Sequence, residues 1–154
     1  GVGSGQSAMD SLKRLDLVDP LVNFASSGKP FLGICLGLQL LLENTEEGNA
    51  SCLGIVSGSV KKLPEGLKVP HMGWNDITFS SNHPILTDIP EDSFFYFVHS
   101  YCCLSSTDAI SETTHGENLI STLGKDNIFA VQFHPEKSQN LGLQLYKNFL
   151  DWSI

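Results

Sequence analysis

Positive charge is scarce in this chain: Arg14 is its single arginine, and nine basic residues face 17 acidic ones for a formal net charge of −8. The longest basic run is Lys61-Lys62. That excludes the basic stripe required by nucleic acid or an anionic membrane surface. The four cysteines (Cys35, Cys52, Cys102, Cys103) include no C-x-x-C pair and do not cluster with histidine, so neither a metal site nor a disulfide framework is expected. Cys102 and Cys103 are adjacent and on a strand would face opposite sides. Signal-peptide patterning and apolar runs long enough to span a bilayer are also missing. The expectation is free thiols in a reducing, cytoplasmic setting. Internal repeats and low-complexity linkers are absent too, so residues 1–154 read as one domain. With 41% hydrophobic and 17% charged residues the composition is that of a folded globular chain.

What is present begins with Lys29-Pro30-Phe31-Leu32-Gly33-Ile34-Cys35-Leu36-Gly37-Leu38-Gln39. Residues 30–34 read as a buried strand, Cys35 as a hard turn, and Leu36 as the opening of a helix that runs to about residue 44. Gly33 and Gly37 flank the cysteine in the pattern G-x-C-x-G, the thiol counterpart of a serine nucleophile elbow. A strained turn would push the nucleophile out of the sheet's end, and the glycines would let strand and helix pack closely. The helix N-terminus would favour the thiolate.

Around this stretch the pattern is helix, strand, helix, then short strands. Ala8, Met9, Leu12 and Leu15 recur at helical spacing, and Asp19-Pro20 reads as the N-cap and first position of a second helix ending at Gly28. Residues 53–56, 59–63 and 76–79 read as short strands, with His71 to Asn75 in a loop. Residues 94–101, 117–122 and 128–133 read as strands and residues 138–152 as a closing helix. His134-Pro135-Glu136 follows the last strand, at the rim where open α/β sheets place their sites. In extended geometry residues i and i+2 share a side, so Glu136 could orient His134 as the base for Cys35.

Together these residues resemble the class I, triad-type glutamine amidotransferases. Pro70-His-Met-Gly-Trp-Asn75, Phe95-Tyr-Phe-Val-His-Ser-Tyr101 and Gln132-Phe-His-Pro-Glu-Lys-Ser138 resemble, within that family, the glutaminase subunits of imidazole glycerol phosphate synthases. The resemblance implies an α/β fold, a three-layer open mixed sheet with flanking helices of flavodoxin-like type, whose first strands are missing here. It implies Cys35, His134 and Glu136 as the catalytic triad, with Gly3 and Leu36 at the oxyanion hole. Gln39, His99, Ser100 and Tyr101 would bind L-glutamine. Trp74, Tyr96 and Lys137 would lie near a cyclase subunit of (β/α)8 barrel fold, giving a heterodimer that passes ammonia to histidine biosynthesis. No cofactor or metal is implied. The alternatives are a different amidotransferase or γ-glutamyl thiol hydrolase on the same fold, or an inactive, N-terminally truncated chain that only binds the cyclase.

Overall fold

Residues 3–153 are described here from a computed structural model; Gly1, Val2 and Ile154 lie outside the described residues. Helix α1 (Gly5–Arg14) opens on Ser4, whose hydroxyl accepts the Ser7 N–H at 3.2 Å, as an N-cap does. Helix α2 (Val18–Ala25) starts before the expected cap, with Leu17 at its N-cap and Asp19 and Pro20 already inside the first turn. First-turn N–H groups have no intrahelical partner, so proline is tolerated there.

Strand β1 (Phe31–Ile34) and helix α3 (Leu36–Leu41) form the elbow. The helix stops short of the expected end because Leu42 turns extended, and the amides of Leu53, Gly54, Ile55 and Val56 donate to the carbonyls of Leu40, Leu42 and Leu41. Residues 53–56 are thus a helix-capping loop rather than a strand. Small strands β2 (Asn44–Thr45), β3 (Ala50–Ser51), β4 (Ser59–Lys62) and β7 (Tyr101–Cys103) make a side sheet in the order β3-β2-β4-β7.

The main sheet holds β5 (His71–Phe79), β6 (Ser93–His99), β8 (Ala109–His115), β9 (Glu117–Lys125) and β10 (Ile128–Val131), in the order β1-β10-β9-β8-β5-β6. Within this sheet, among the described residues, β1 and β10 run parallel and the other pairs are antiparallel. β5 includes residues 71–75, expected as a loop, because seven residue pairs with β6 override the breakers Pro70 and Gly73. β8 is a strand that the sequence pattern does not announce.

β10 shows why the sheet sits between two cores. Ile128 and Ala130 face Leu38, Leu41 and Ala25 on one side, while Phe129 and Val131 face Phe95, Phe97 and Leu145 on the other. Leu145 belongs to helix α4 (Gln139–Asp151), so helices cover both faces and the open mixed sheet with flanking helices is as expected. Cys102 and Cys103 do face opposite ways, into separate clusters. No helix among the described residues is long and apolar enough to cross a membrane.

Gly33 explains the tightness of the elbow. A Cβ there would stand 2.9 Å from Leu41 Cδ1 and 3.1 Å from Ala130 Cβ, closer than packed carbon atoms tolerate. Gly37 is different: a Cβ there meets nothing within 4 Å. The expectation that both glycines serve close packing holds for the first alone.

Candidate active site

Cys35 sits between β1 and α3 at φ 50 and ψ −104, a backbone conformation that L-residues rarely adopt. Its N–H donates to Val131 O at 2.7 Å, so the turn is pinned to the end of β10. His134 leaves the chain just beyond that same strand. Its N–H donates to Tyr96 O at 2.9 Å, and its carbonyl accepts the Ser138 hydroxyl at 2.7 Å. Ser138 Oγ in turn accepts the Tyr96 N–H at 3.0 Å, locking the His134 segment to β6.

Cys35 and His134 line one cleft of about 380 Å³. His134 is almost wholly buried, and its Nε2 has no hydrogen-bond partner. Its Nδ1 lies 2.5 Å from Glu136 Oε1. The carboxylate reaches the ring through a 3-10 turn, Pro135–Lys137, rather than through the alternation of an extended segment. Since a carboxylate only accepts, Nδ1 carries the proton in the neutral ring and Nε2 is left as a bare acceptor. Burial pushes the Glu136 carboxyl up, but the hydrogen bonds from His134 and from its own backbone N–H, with the nearby Lys137 charge, outweigh it and hold the group below its usual range.

The resting thiol differs from expectation. Burial pushes the Cys35 pKa above its ordinary value, against the smaller opposing pull of the Leu36 amide and Gln132. Helix α3 is too short, and the sulfur too dry, for the dipole to win. A thiol that stays protonated needs a base at hand, and His134, whose Nε2 is bare, lines the same cleft.

Gly3, Leu36, Gln39, His99, Ser100 and Tyr101 all line this cleft, as does Lys137. Gln39 is buried, not an exposed helix residue; its Nε2 donates to Tyr101 O at 2.9 Å and to Gln132 Oε1 at 3.2 Å. Gln132 Nε2 points to Cys35 Sγ at 3.6 Å, a role the sequence reading missed although strand alternation from His134 places Gln132 on the same side. Trp74 and Tyr96 stand outside the lining, opposite one another on β5 and β6 with ring centroids 6.1 Å apart. Lys137 Nζ lies 5.7 Å from the Tyr96 ring. The three expected interface residues therefore form one group running from the cleft to the outer sheet face.

Two further histidines are buried beside the site. Burial, with neighbouring imidazoles adding to it, pushes His71 down to about 4 and His99 to about 3. An unfolded histidine titrates near about 6.5. Between these values the unfolded chain binds more protons, so this stabilisation is complete above about 6.5 and falls as the pH drops toward the folded values. Urea unfolding at about pH 7 and about pH 5 should show a loss on the order of 3 kcal/mol from the pair. A flat profile across that window would refute the burial argument.

Known proteins resemble this chain in sequence and in fold. A model of the family "Glutamine amidotransferase class-I" matches residues 10–152. The imidazole glycerol phosphate synthase subunit HisH of Aquifex aeolicus is 47% identical over 152 residues, covering 97% of this chain and 73% of that protein. The corresponding subunit of Neisseria meningitidis is 45% identical over 162 residues, covering 99% and 76%. The chain thus spans about three quarters of the length of these relatives. Among solved structures, a glutamine amidotransferase superimposes with a TM-score of 0.71 at 14% identity, over 97% of this chain and 74% of that one. The glutaminase domain of Trypanosoma brucei CTPS gives 0.59 at 17%, over 90% and 68%. At those identities the likeness concerns the fold alone. With that family model matching nearly the whole chain and relatives at 47% and 45% identity, the chain belongs to the class I glutamine amidotransferases.

Proposed function

We infer that this chain is the glutaminase subunit of an imidazole glycerol phosphate synthase, hydrolysing L-glutamine to glutamate and ammonia for histidine biosynthesis. The observation that carries the reading is the shared cleft of Cys35 and His134, with the histidine's Nε2 bare and its Nδ1 held by Glu136. The identity to HisH subunits over nearly the whole chain selects the synthase.

The chemistry follows from those atoms. His134 Nε2 takes the Cys35 proton as Sγ attacks the side-chain carbonyl carbon of glutamine. The carbonyl electrons move to an oxyanion, which needs preorganised N–H donors; that Leu36 and Gly3 both line the cleft supports their amides in that role. As the C–N bond breaks, the imidazolium returns its proton to the departing ammonia, leaving a γ-glutamyl thioester. A water, deprotonated by His134, then attacks the thioester carbonyl; the C–S bond breaks, glutamate leaves, and the imidazolium returns its proton to the Cys35 sulfur. Glu136 keeps the ring in the tautomer that can start the cycle and stabilises its cation. Gln39, His99, Ser100 and Tyr101 supply the walls that hold glutamine.

Ammonia passes to a cyclase subunit of (β/α)8 barrel fold in a cytoplasmic heterodimer, and the chain acts as one amidotransferase domain. Trp74, Tyr96 and Lys137 meet the cyclase. Trp74, Met72 and Phe94 support that placement: all three are exposed on one outward face of the β5–β6 pair, and apolar patches of this kind mark interfaces. The reading is tested by assaying ammonia release from glutamine with purified synthase subunits. Stimulation by the imidazole glycerol phosphate cyclase supports it; a chain that responds equally to unrelated synthase subunits, or not at all, does not. In the active pair, Glu136→Gln is expected to lower kcat by about 10²-fold, less than loss of the thiol. Unchanged turnover in that variant would remove Glu136 from the triad.

A further inference from the structure

The run from His71 to Asn75 takes no part in the chemistry above, yet it is the start of a hydrogen-bonded string that ends in the cleft. His71 and His99 lie directly opposite each other on β5 and β6, and His71 Nδ1 is 2.9 Å from His99 Nε2. His99 Nδ1 is 2.9 Å from the Tyr101 carbonyl oxygen. Asn75 Nδ2 is 3.2 Å from His71 Nε2 and 2.9 Å from Thr114 O.

The direction of every proton in this string follows from the two carbonyls at its ends. Tyr101 O can only accept, so His99 carries its proton on Nδ1 and its Nε2 is bare. His71 must then donate through Nδ1, which leaves its own Nε2 as an acceptor for Asn75. Thr114 O makes the Asn75 atom facing it a nitrogen, whose second hydrogen serves His71. Both rings are neutral at pH 7, so neither carries the spare proton that would allow another arrangement.

Resting on the glutaminase reading, we propose that His71 and His99 are positioning residues that fix the Tyr101 carbonyl and, through it, the orientation of the Gln39 amide in the glutamine-binding cleft. A glutamine amide can turn over with almost no change of shape, exchanging its oxygen for its NH₂. Here both Gln39 N–H bonds are taken, by Tyr101 O and Gln132 Oε1, so the group offers the cleft an acceptor, Oε1, suited to an N–H donor of the substrate. Tyr101 sits at the start of β7, one residue after the break at Ser100 and opposite Lys62 of β4, and the partners of its carbonyl are the side chains of Gln39 and His99. His99 occupies the second lone pair of that oxygen. His71 holds His99 in the required tautomer while stacking between Phe97 and His115 at centroid distances of 4.8 and 4.2 Å.

The stacking gives a way to separate hydrogen bonding from packing. His71→Phe keeps an aromatic ring between Phe97 and His115 but loses the donor. His71→Asn loses the ring but can place its amide nitrogen where Nδ1 stood. With the cyclase bound, His71→Phe is expected to raise the KM for glutamine about tenfold with a smaller change in kcat, and His71→Asn to raise it about threefold. The reverse order, or equal effects, overturns the proposal. Proton–nitrogen correlation spectra of the unmodified protein decide the tautomers without any activity. Both rings protonated on Nδ1 support the string; His99 protonated on Nε2 overturns it. If instead the unmodified pair releases no ammonia, the glutaminase reading fails while the spectra still answer the structural question.

Discussion

Replacing Cys35 by alanine is expected to abolish glutamine hydrolysis, lowering kcat by roughly 10⁴- to 10⁶-fold, as loss of a covalent nucleophile does. The fold should survive. The bond that pins the elbow is made by the Cys35 backbone N–H to Val131 O, which alanine retains, and the sulfur accepts only one weak hydrogen bond, from Gln132 at 3.6 Å. Ammonia release and circular dichroism, measured on the same preparation, check both halves. Near-normal turnover would remove the thioester from the mechanism. The same position stores strain, because a residue with a Cβ is held at φ 50. Glycine tolerates that backbone, so Cys35→Gly should unfold about 1 kcal/mol later than Cys35→Ala in urea. Equal stability would mean that the elbow is relaxed.

Gly142→Ala is expected to damage activity less than loss of the thiol, but to be far worse for stability. Gly142 lies on α4 against the turn that carries Glu136, and a Cβ there would stand 1.8 Å from Pro135 O and 2.7 Å from Pro135 C. Those are backbone atoms with no rotamer to move away. Either α4 shifts, disturbing the Leu145 contact with the core, or the Pro135–Lys137 turn is pushed outward and takes the His134–Glu136 pair with it. Overpacking of this kind costs about 3 kcal/mol or more, a fall of roughly 10 °C in Tm for a chain of this size. A displaced base should also lower kcat by about 10²-fold. Gly37→Ala is the matched control: it adds the same methyl group where nothing lies within 4 Å, and in a helix it should be neutral or slightly stabilising. Wild-type melting and turnover in Gly142→Ala would show that the turn is not seated as described.

Much of the elbow was readable from local signals. Continuous apolar residues mark β1, and the glycine spacing marks a turn that must be tight; both follow from a few neighbouring residues. Strands β6, β9 and β10 were readable for the same reason. The misreadings share a cause. β5 looked broken at Pro70 and Gly73, but pairing with β6 supplies ladder hydrogen bonds that local propensity does not register. α3 looked longer than it is because its leucines favour helix, while the loop at residues 53–56 ends it from outside.

What the amino-acid order by itself determined is the set of reactive groups: one sulfur on an elbow, one imidazole at a strand end, one carboxylate two residues on, and membership in a family that uses them. Tertiary structure decided how those groups stand. It brings Cys35 and His134 to one cleft, protonates the thiol by drying it, swings Glu136 onto its histidine through a turn, and threads Asn75, His71 and His99 to Tyr101. Reactivity is a property of the side chain and can be read from a letter. Solvation, tautomer and distance are sums over neighbours that only the folded chain assembles.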